Sequence, residues 1–314
     1  MTPVYNGERH VGITLESVRA QTFQLWEHVV VDDGSTDASA AVAERCAAAD
    51  DRVRLIRRRN GGSAAARNAG FAATRASEYV MFLDHDDVLE PDMLETAVAY
   101  LDEHPAVGVV YTGFVVIDEE GRRSPQGWDT RYRTGTLRLR RIAAEEPDTP
   151  FETLLMWGGI LPSNSLIRRS VYERVGGFDD RWLNDDTDLF MRLGLQAPVH
   201  RINRPLVSYR RHAGQMSADS TRTHAELDRL LAEKWMTAAL PQRDRRRFER
   251  GMSLRTYGAD ALVGLSAAGS NARAGKYVTA GRFLAGAARR YLLYVAANVG
   301  LFRARAQSRN GATD

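Results

Sequence analysis

Two acidic clusters stand where side chains could bind a metal or move a proton. Asp84-His85-Asp86 follows an apolar run, and Asp185-Asp186 precedes a helical pattern of apolar residues. Two carboxylates at the end of a strand can bind one hard divalent cation, Mg²⁺ or Mn²⁺, which usually completes its coordination with substrate phosphates. The first cluster therefore predicts a metal and diphosphate site, with a solvated turn as the alternative. The second cluster lies where the helix dipole favours negative charge.

Alternating strands and helices are predicted around the first cluster. Three apolar runs, at 29–31, 53–56 and 79–83, each end in a polar cluster, and an alanine-rich helix after residue 37 and a helix over 63–76 separate them. This spacing predicts βαβ units and an α/β protein with an open, mostly parallel central sheet flanked by helices. Ligands of such sheets bind beyond the carboxyl ends of the strands, where all three polar clusters lie.

The remainder of the chain is less regular and then helical. A strand is predicted over 107–111, followed by a hairpin around 118–121 and an arginine-rich stretch at 122–141. From about Thr221 the pattern becomes helical to the end of the sequence, with a break predicted at the charged run 243–250.

Charge is distributed unevenly along the chain. Residues 241–314 hold 14 Lys and Arg against 4 Asp and Glu, whereas residues 1–240 hold 29 against 36. We predict a donor-binding half at 1–110, an acceptor-binding and catalytic half at 111–220, and a C-terminal helical extension at 221–314. The basic extension indicates an anionic partner surface.

A helix predicted over about 283–302 has apolar residues on one side and arginines on the other. Such a helix suits peripheral contact with anionic lipid at the inner face of the plasma membrane, with packing on the body as the alternative. Nucleic acid is not favoured as a partner, since no aromatic-interleaved recognition motif accompanies the arginines. The single cysteine, Cys46, excludes a disulfide framework, and with no signal peptide or membrane span recognised we expect a cytoplasmic protein.

Five blocks resemble, in the same order, the opening of family 2 inverting glycosyltransferases. The blocks are residues 3–8 (PVYNGE), 17–22 (SVRAQT), 30–37 (VVDDGSTD), 60–68 (NGGSAAARN) and 82–87 (FLDHDD). The resemblance implies the GT-A fold, in which a nucleotide-binding sheet merges with an acceptor-binding half. It also implies transfer of a sugar from a nucleotide-diphosphate donor to a hydroxyl acceptor.

The resemblance assigns a donor site to the first third of the chain. Asp33 would accept a ring N–H of the nucleotide base, Arg67 would lie near the diphosphate, and Asp84 would approach the ribose and the metal. A helix cap or an Asx turn is the alternative for Asp33. The implied donor-binding residues are Pro3, Tyr5, Glu8, Asp33, Arg67 and Asp84.

By the same resemblance Asp86 would be the direct metal ligand, with Asp84 beside it. The loop 208–217 resembles one that closes over the donor diphosphate, so His212 would add an imidazole to the metal, or would be a plain surface residue. Either Arg210 or Arg211 would contact phosphate.

An acidic pair, usually Glu-Asp, supplies the catalytic base of the family, and Asp185-Asp186 occupies its place. The resemblance gives Asp186 the role of base, taking the proton of the acceptor hydroxyl. Asp185 stands where the family has Glu, so its role is open. Asp185 and Asp188 are alternatively charges that cap the helix.

These features predict a metal-dependent glycosyltransferase of hexosyltransferase type that uses Mn²⁺ or Mg²⁺ in cell-surface polysaccharide or glycolipid synthesis. The donor expected first is a UDP-sugar, and the acceptor is a hydroxyl on a glycan or lipid-linked glycan. One departure is that only Met1-Thr2 precedes the first block, so either the start is truncated or the first strand is very short. The alternative function is a catalytically inactive module that binds nucleotide-sugar or glycan.

Overall fold

The computed structural model describes residues 1–123, 160–216 and 220–253. Of these, the residues up to 238 form one compact unit, here called the body, and residues 239–253 belong to a second unit. No helix among the described residues has the length and apolar character to span a membrane. The helix predicted over 283–302 lies outside them, and the three-part division of the chain stays a prediction.

The body begins with the alternation of strands and helices that the sequence predicts. The strands are β1 (Thr2–Val4), β2 (His28–Asp32), β3 (Val53–Arg57), β4 (Tyr79–Val80), β5 (Val88–Leu89), β6 (Val109–Ile117), β7 (Ser165–Arg168) and β8 (Val199–Arg210). The helices are α1 (Val11–Arg19), α2 (Ser39–Ala49), α3 (Ser63–Ala73), α4 (Met93–Glu103), α5 (Arg169–Val175), α6 (Asp185–Gln196) and α7 (Ser220–Leu230), with a π-helical turn at Leu231–Trp235 after α7.

The strands form two sheets that meet at β1. Parallel pairing gives the order β1-β2-β3 in one sheet, and the other has the order β4-β7-β6-β8-β5. Among the described strands of the second sheet, β6 and β8 pair in parallel and the other pairs are antiparallel. The amino group of Met1 donates to Met81 O at 2.8 Å, and the backbone N–H of Leu83 donates to Met1 O at 2.9 Å, which joins the sheets. The predicted α/β class is confirmed, with antiparallel pairs concentrated in the second sheet.

Apolar residues of strands and helices build two adjoining cores. Val29, Val30 and Val31 are each fully buried, as expected for a parallel strand covered on both faces. The first core lies under α1 and α2, where Val42 and Cys46 pack inward. The second core lies between α4 and the second sheet.

The charged run 243–250 is part of helix α8 (Gln242–Ser253), so the predicted break is wrong. Arginine is a good helix former, and charge alone does not interrupt hydrogen bonding along a helix. Phe248 is 2% exposed in this helix and supplies an apolar residue within the charged run.

Asn68 ties α3 to the loop that follows α5. Its Nδ2 donates to Phe178 O at 2.9 Å, and its Oδ1 accepts from Phe178 N at 2.9 Å, so one amide pairs with both backbone groups of that residue. Gly177 permits this approach, because a Cβ there would lie 2.7 Å from Asn68 Oδ1 and the backbone φ is +82°. The tie keeps α3 fixed against the segment leading to α6.

We expect Asn68→Ala to lower the free energy of unfolding by about 2 kcal/mol, because the N–H and C=O of Phe178 lose their partners. Urea denaturation measures the change. Asn203→Ala, at an exposed position on β8, serves as control and should stay within about 0.5 kcal/mol of the wild type. Equal losses in the two variants would contradict this account.

Candidate functional site

The loops that follow β1 and β2 interlock at the carboxyl ends of their strands. Asn6 Oδ1 accepts from Thr36 N at 2.8 Å, and Asn6 N donates to Ser35 Oγ at 3.1 Å. Glu8 Oε2 accepts from Ala38 N at 2.8 Å, which satisfies a free N–H at the start of α2. The structure thus gives Glu8 a capping contact, and its predicted contact with the donor stays a prediction.

Pro3 and Tyr5 differ in their access to solvent. Pro3 is buried in β1 opposite Val31, whereas Tyr5 follows the strand with 49% of its surface exposed. An exposed aromatic ring at the carboxyl end of a parallel strand is able to stack on a planar ligand. Of Pro3 and Tyr5, which are both predicted to bind the donor, Tyr5 therefore offers the accessible surface.

Asp33 holds the start of α3 from the end of β2. Its carboxylate accepts from Gly62 N at 2.8 Å and Gly61 N at 3.1 Å, and it forms an ion pair with Arg58 Nε at 3.1 Å. Because α3 begins at Ser63, Asp33 caps this helix from another strand. Asp33 thus acts as a helix cap, the alternative given above, but it caps α3 rather than α2, the helix that follows it in the sequence. The contact of Asp33 with a nucleobase stays a prediction. Arg58 was missed at the sequence level.

Arg67 joins the two acidic clusters. Its Nη2 lies 2.6 Å from Asp84 Oδ1 and its Nη1 lies 3.0 Å from Asp185 Oδ2, while the residue itself is 4% exposed. Burial lowers the pKa of Arg67, but the carboxylates of Asp84 and Asp185 outweigh burial and raise it, so the guanidinium stays charged. The clusters predicted from separate parts of the sequence therefore adjoin the same side chain.

The ion pairs of Arg67 with Asp84 and Asp185 limit how Arg67 could contact a diphosphate. Two of its three nitrogens face carboxylates, so a phosphate contact would use a donor beyond these two bonds or replace one of them. That role stays a prediction.

The neighbours Asp185 and Asp186 have different surroundings. Asp185 is 3% exposed and bonded to Arg67, whereas Asp186 is only partly buried and accepts from the backbone N–H of its neighbour Thr187 at 2.6 Å. Burial, together with the charge of Asp185, raises the pKa of Asp186 to about 6, although Arg67 opposes the shift. Asp185 thus anchors Arg67, and Asp186 keeps the character of a base near neutral pH.

Asp86 and His212 meet although 126 positions separate them. His212 Nε2 lies 3.0 Å from Asp86 Oδ2, and both side chains are mostly buried. The contact raises the pKa of His212, and the same hydrogen bond lowers the pKa of Asp86 against the effect of burial. A carboxylate and an imidazole suit Mn²⁺, although no group of three or more His, Cys, Asp or Glu side chains is gathered for a metal among the described residues.

Thr14, Ser163 and Arg210 support the turn at 84–87, a role that was not predicted from the sequence. Thr14 Oγ1 lies 2.8 Å from the carbonyl oxygens of His85 and Asp87, and Ser163 Oγ accepts from Asp84 N at 3.1 Å. Thr14 is one of the buried residues of α1. A polar residue among the buried positions of a helix is a sequence signal for a side chain that hydrogen-bonds a neighbouring segment.

Arg210 is 2% exposed and donates from Nε to Asp86 O at 3.0 Å. Its Nη1 donates to the carbonyl oxygens of Asp118 and Glu119. Of the two arginines predicted to meet phosphate, Arg210 is therefore directed at backbone carbonyls, and Arg211 is the exposed one.

The chain is similar to known glycosyltransferases over much of its length. A family model described as "Glycosyl transferase family 2" matches residues 1–176. Glycosyltransferase GlyG of Streptococcus pneumoniae is 27% identical over 218 residues, which cover 69% of this chain and 71% of GlyG. Glycosyltransferase GlyA of the same organism is 29% identical over 244 residues, or 76% of this chain, but the chain spans only 32% of GlyA.

Solved structures show the same fold. TarS 1–349 of S. aureus in complex with UDP-GlcNAc is 18% identical with a TM-score of 0.56, covering 90% of this chain and 89% of that one. Mannosyltransferase PcManGT of Pyrobaculum calidifontis, in complex with GDP-Man and Mn²⁺, is 19% identical with a TM-score of 0.61, covering 95% and 84%. The fold is the GT-A fold, as predicted. Because the family model matches more than half of the chain, the protein belongs to glycosyl transferase family 2.

Proposed function

We propose that this glycosyltransferase moves a sugar from a nucleotide-diphosphate donor to a hydroxyl acceptor with inversion at the anomeric carbon. The observation that carries the proposal is the bridge formed by Arg67, which brings the turn of Asp84 and the pair Asp185-Asp186 to one place. A donor bound at the turn would have its anomeric carbon near the acidic pair.

Asp186 is proposed as the base. The acceptor oxygen attacks the anomeric carbon and loses its proton to the Asp186 carboxylate, while the bond from that carbon to the diphosphate oxygen breaks. The nucleoside diphosphate leaves with the electron pair. The raised pKa of Asp186 makes it a stronger base than an ordinary aspartate and still leaves it ionised at neutral pH. A module that only binds donor has no need of such a group.

Asp86 and His212 are proposed to hold a divalent cation, with Asp84 beside them. When bound, the cation would neutralise charge on the departing diphosphate. Support comes from the contact between Asp86 and His212 and from the Mn²⁺ that accompanies GDP-Man in the PcManGT complex. Two or three protein ligands suffice for such an ion, because substrate phosphates and water complete its coordination.

The donor and acceptor are proposed by class. The similar structures TarS and PcManGT are complexes with UDP-GlcNAc and GDP-Man, which supports a nucleotide-diphosphate sugar, and we propose a UDP-sugar first. We also propose Tyr5, Asp33 and Arg67 as its contacts. A hydroxyl on a cell-surface glycan or lipid-linked glycan is the proposed acceptor. Cytoplasmic location with peripheral membrane contact through the basic C-terminal part is proposed on the charge of residues 241–314.

Asp186→Asn should lower kcat of sugar transfer by at least about 100-fold, because the acceptor proton has no base to receive it. Donor affinity should change little, and the thermal midpoint should rise, because an ionised carboxylate with a raised pKa opposes folding at neutral pH. A donor panel with Mn²⁺, donor titration and thermal unfolding provide the measurements. Asp51→Asn, at an exposed position, is the matched control.

Two outcomes would count against this assignment. Unchanged kcat in Asp186→Asn would remove the proposed base. A wild-type protein that binds donors but turns none of them over would support the alternative, an inactive binding module.

The pH dependence should follow the ionisation of Asp186. The carboxylate must be charged to accept a proton, so kcat should fall about tenfold per pH unit once the pH drops below about 6. Rates measured from pH 4.5 to 8, with folding checked at each pH, test this expectation. An acidic limb centred near pH 4 would show that Asp186 is not the titrating base.

Sugar transfer should require a divalent cation that Asp86 and His212 bind. EDTA should abolish transfer and added Mn²⁺ should restore it. His212→Ala should raise the Mn²⁺ concentration for half-maximal rate about tenfold, because one ligand is lost. His104→Ala, on a histidine distant in sequence from this loop, is the control. Full activity in EDTA would refute a role for a metal.

A further inference from the structure

We propose that Lys234 and Trp235 are positioning residues for the transfer reaction: they fix the first turn of α6 and so aim the Asp186 carboxylate. The inference rests on the proposed role of Asp186 as base. Neither residue belongs to the motifs that resemble the family, and neither is placed in contact with substrate.

Asp188, two positions after the proposed base, is the buried centre of this arrangement. The side chain is 0% exposed, and its Oδ1 accepts from Trp235 Nε1 at 3.0 Å. Lys234 Nζ lies 2.8 Å from Asp188 Oδ1, and Arg192 Nε lies 2.8 Å from Asp188 Oδ2. A buried carboxylate needs such partners, since leaving it unpaired costs several kcal/mol. From the sequence alone, Asp188 is recognisable only as a charge that caps the helix.

The same lysine also reaches the segment before α6. Lys234 Nζ donates to Asp179 Oδ2 at 2.8 Å, and Trp182 Nε1 donates to that oxygen at 3.1 Å. The guanidinium of Arg229 lies 4.7 Å from the centre of the Trp182 ring. Contacts from α7 and the π-helical turn therefore hold the two segments that flank Asp185 and Asp186. One is the segment that begins at residue 179, and the other is the first turn of α6.

The π-helical turn at Leu231–Trp235 carries both residues that contact the Asp188 carboxylate. In a regular α-helix, neighbouring side chains diverge by about 100°, so they seldom meet the same group. Lys234 and Trp235 both contact Asp188 from this turn, in which Leu231 and Trp235 are buried. Such π-helical turns occur frequently at functional sites.

The consequence for catalysis follows from rigidity. Arg67 holds the start of α6 from one side through Asp185, and Lys234 and Trp235 hold it from another through Asp188. Asp186 lies between these two carboxylates in the sequence and has no ion pair of its own among the described contacts. Its direction is therefore set by the helix turn that carries it, and a misplacement of 1 Å can cost on the order of 100-fold in rate.

The test compares Lys234→Met with Lys234→Arg in the full chain, using the donor panel with Mn²⁺. We expect kcat to fall about tenfold in Lys234→Met with donor KM within about twofold of the wild type, and Lys234→Arg to recover kcat to within about threefold. Trp235→Phe keeps a ring but removes the N–H, and should lower kcat about threefold with KM unchanged. Arg57→Met removes an exposed ion pair with Glu44 and is the control, with kcat unchanged.

The fraction of folded protein is measured for each variant by donor titration, so that a loss of folded protein is separated from a loss of turnover per site. If Lys234→Met and Trp235→Phe keep wild-type kcat per donor site, or if KM rises instead, the inference is overturned. If Lys234→Met does not fold, Trp235→Phe decides the same question. A wild-type protein without turnover on any donor would refute the proposed function instead, which is a distinct result.

Discussion

Burial of the Arg67 guanidinium is the constraint around which the site is built. A cation taken out of water costs several kcal/mol unless carboxylates compensate it, and here Asp84 and Asp185 do so from two distant parts of the chain. Removing Arg67 would leave both carboxylates without their cation. The turn after β4, helix α3 and the start of α6 are thereby held in one arrangement.

Charge balance within this arrangement explains the unusual property of Asp186. One guanidinium faces Asp84 and Asp185 directly, so the group carries excess negative charge before Asp186 ionises. Burial and the neighbouring Asp185 then raise the pKa of Asp186, and Arg67 limits the rise to about 6. The raised pKa of the proposed base thus comes from burial and from a carboxylate that also pairs with Arg67.

Sequence patterns predicted much of this architecture, because they report local properties. The valines of β2 and the resemblance of five ordered blocks indicated the fold correctly. Pairings between distant residues have no such signal. Arg67 and Asp185 are 118 positions apart, and nothing in either block shows that they meet. Helix α8 was missed because its charged run was interpreted as a break between helices. The helix propensity of its arginines outweighs that signal.

The close packing at Gly7 links two motifs that are distant in the sequence. A Cβ atom at this position would lie 2.2 Å from Cδ2 of His85, the middle residue of the acidic turn. Only hydrogen fits between the first loop and that imidazole in the present arrangement. A larger residue at position 7 would therefore require the His85 ring to move or a smaller residue to replace it, so the residue at position 85 limits which side chains the first loop can carry.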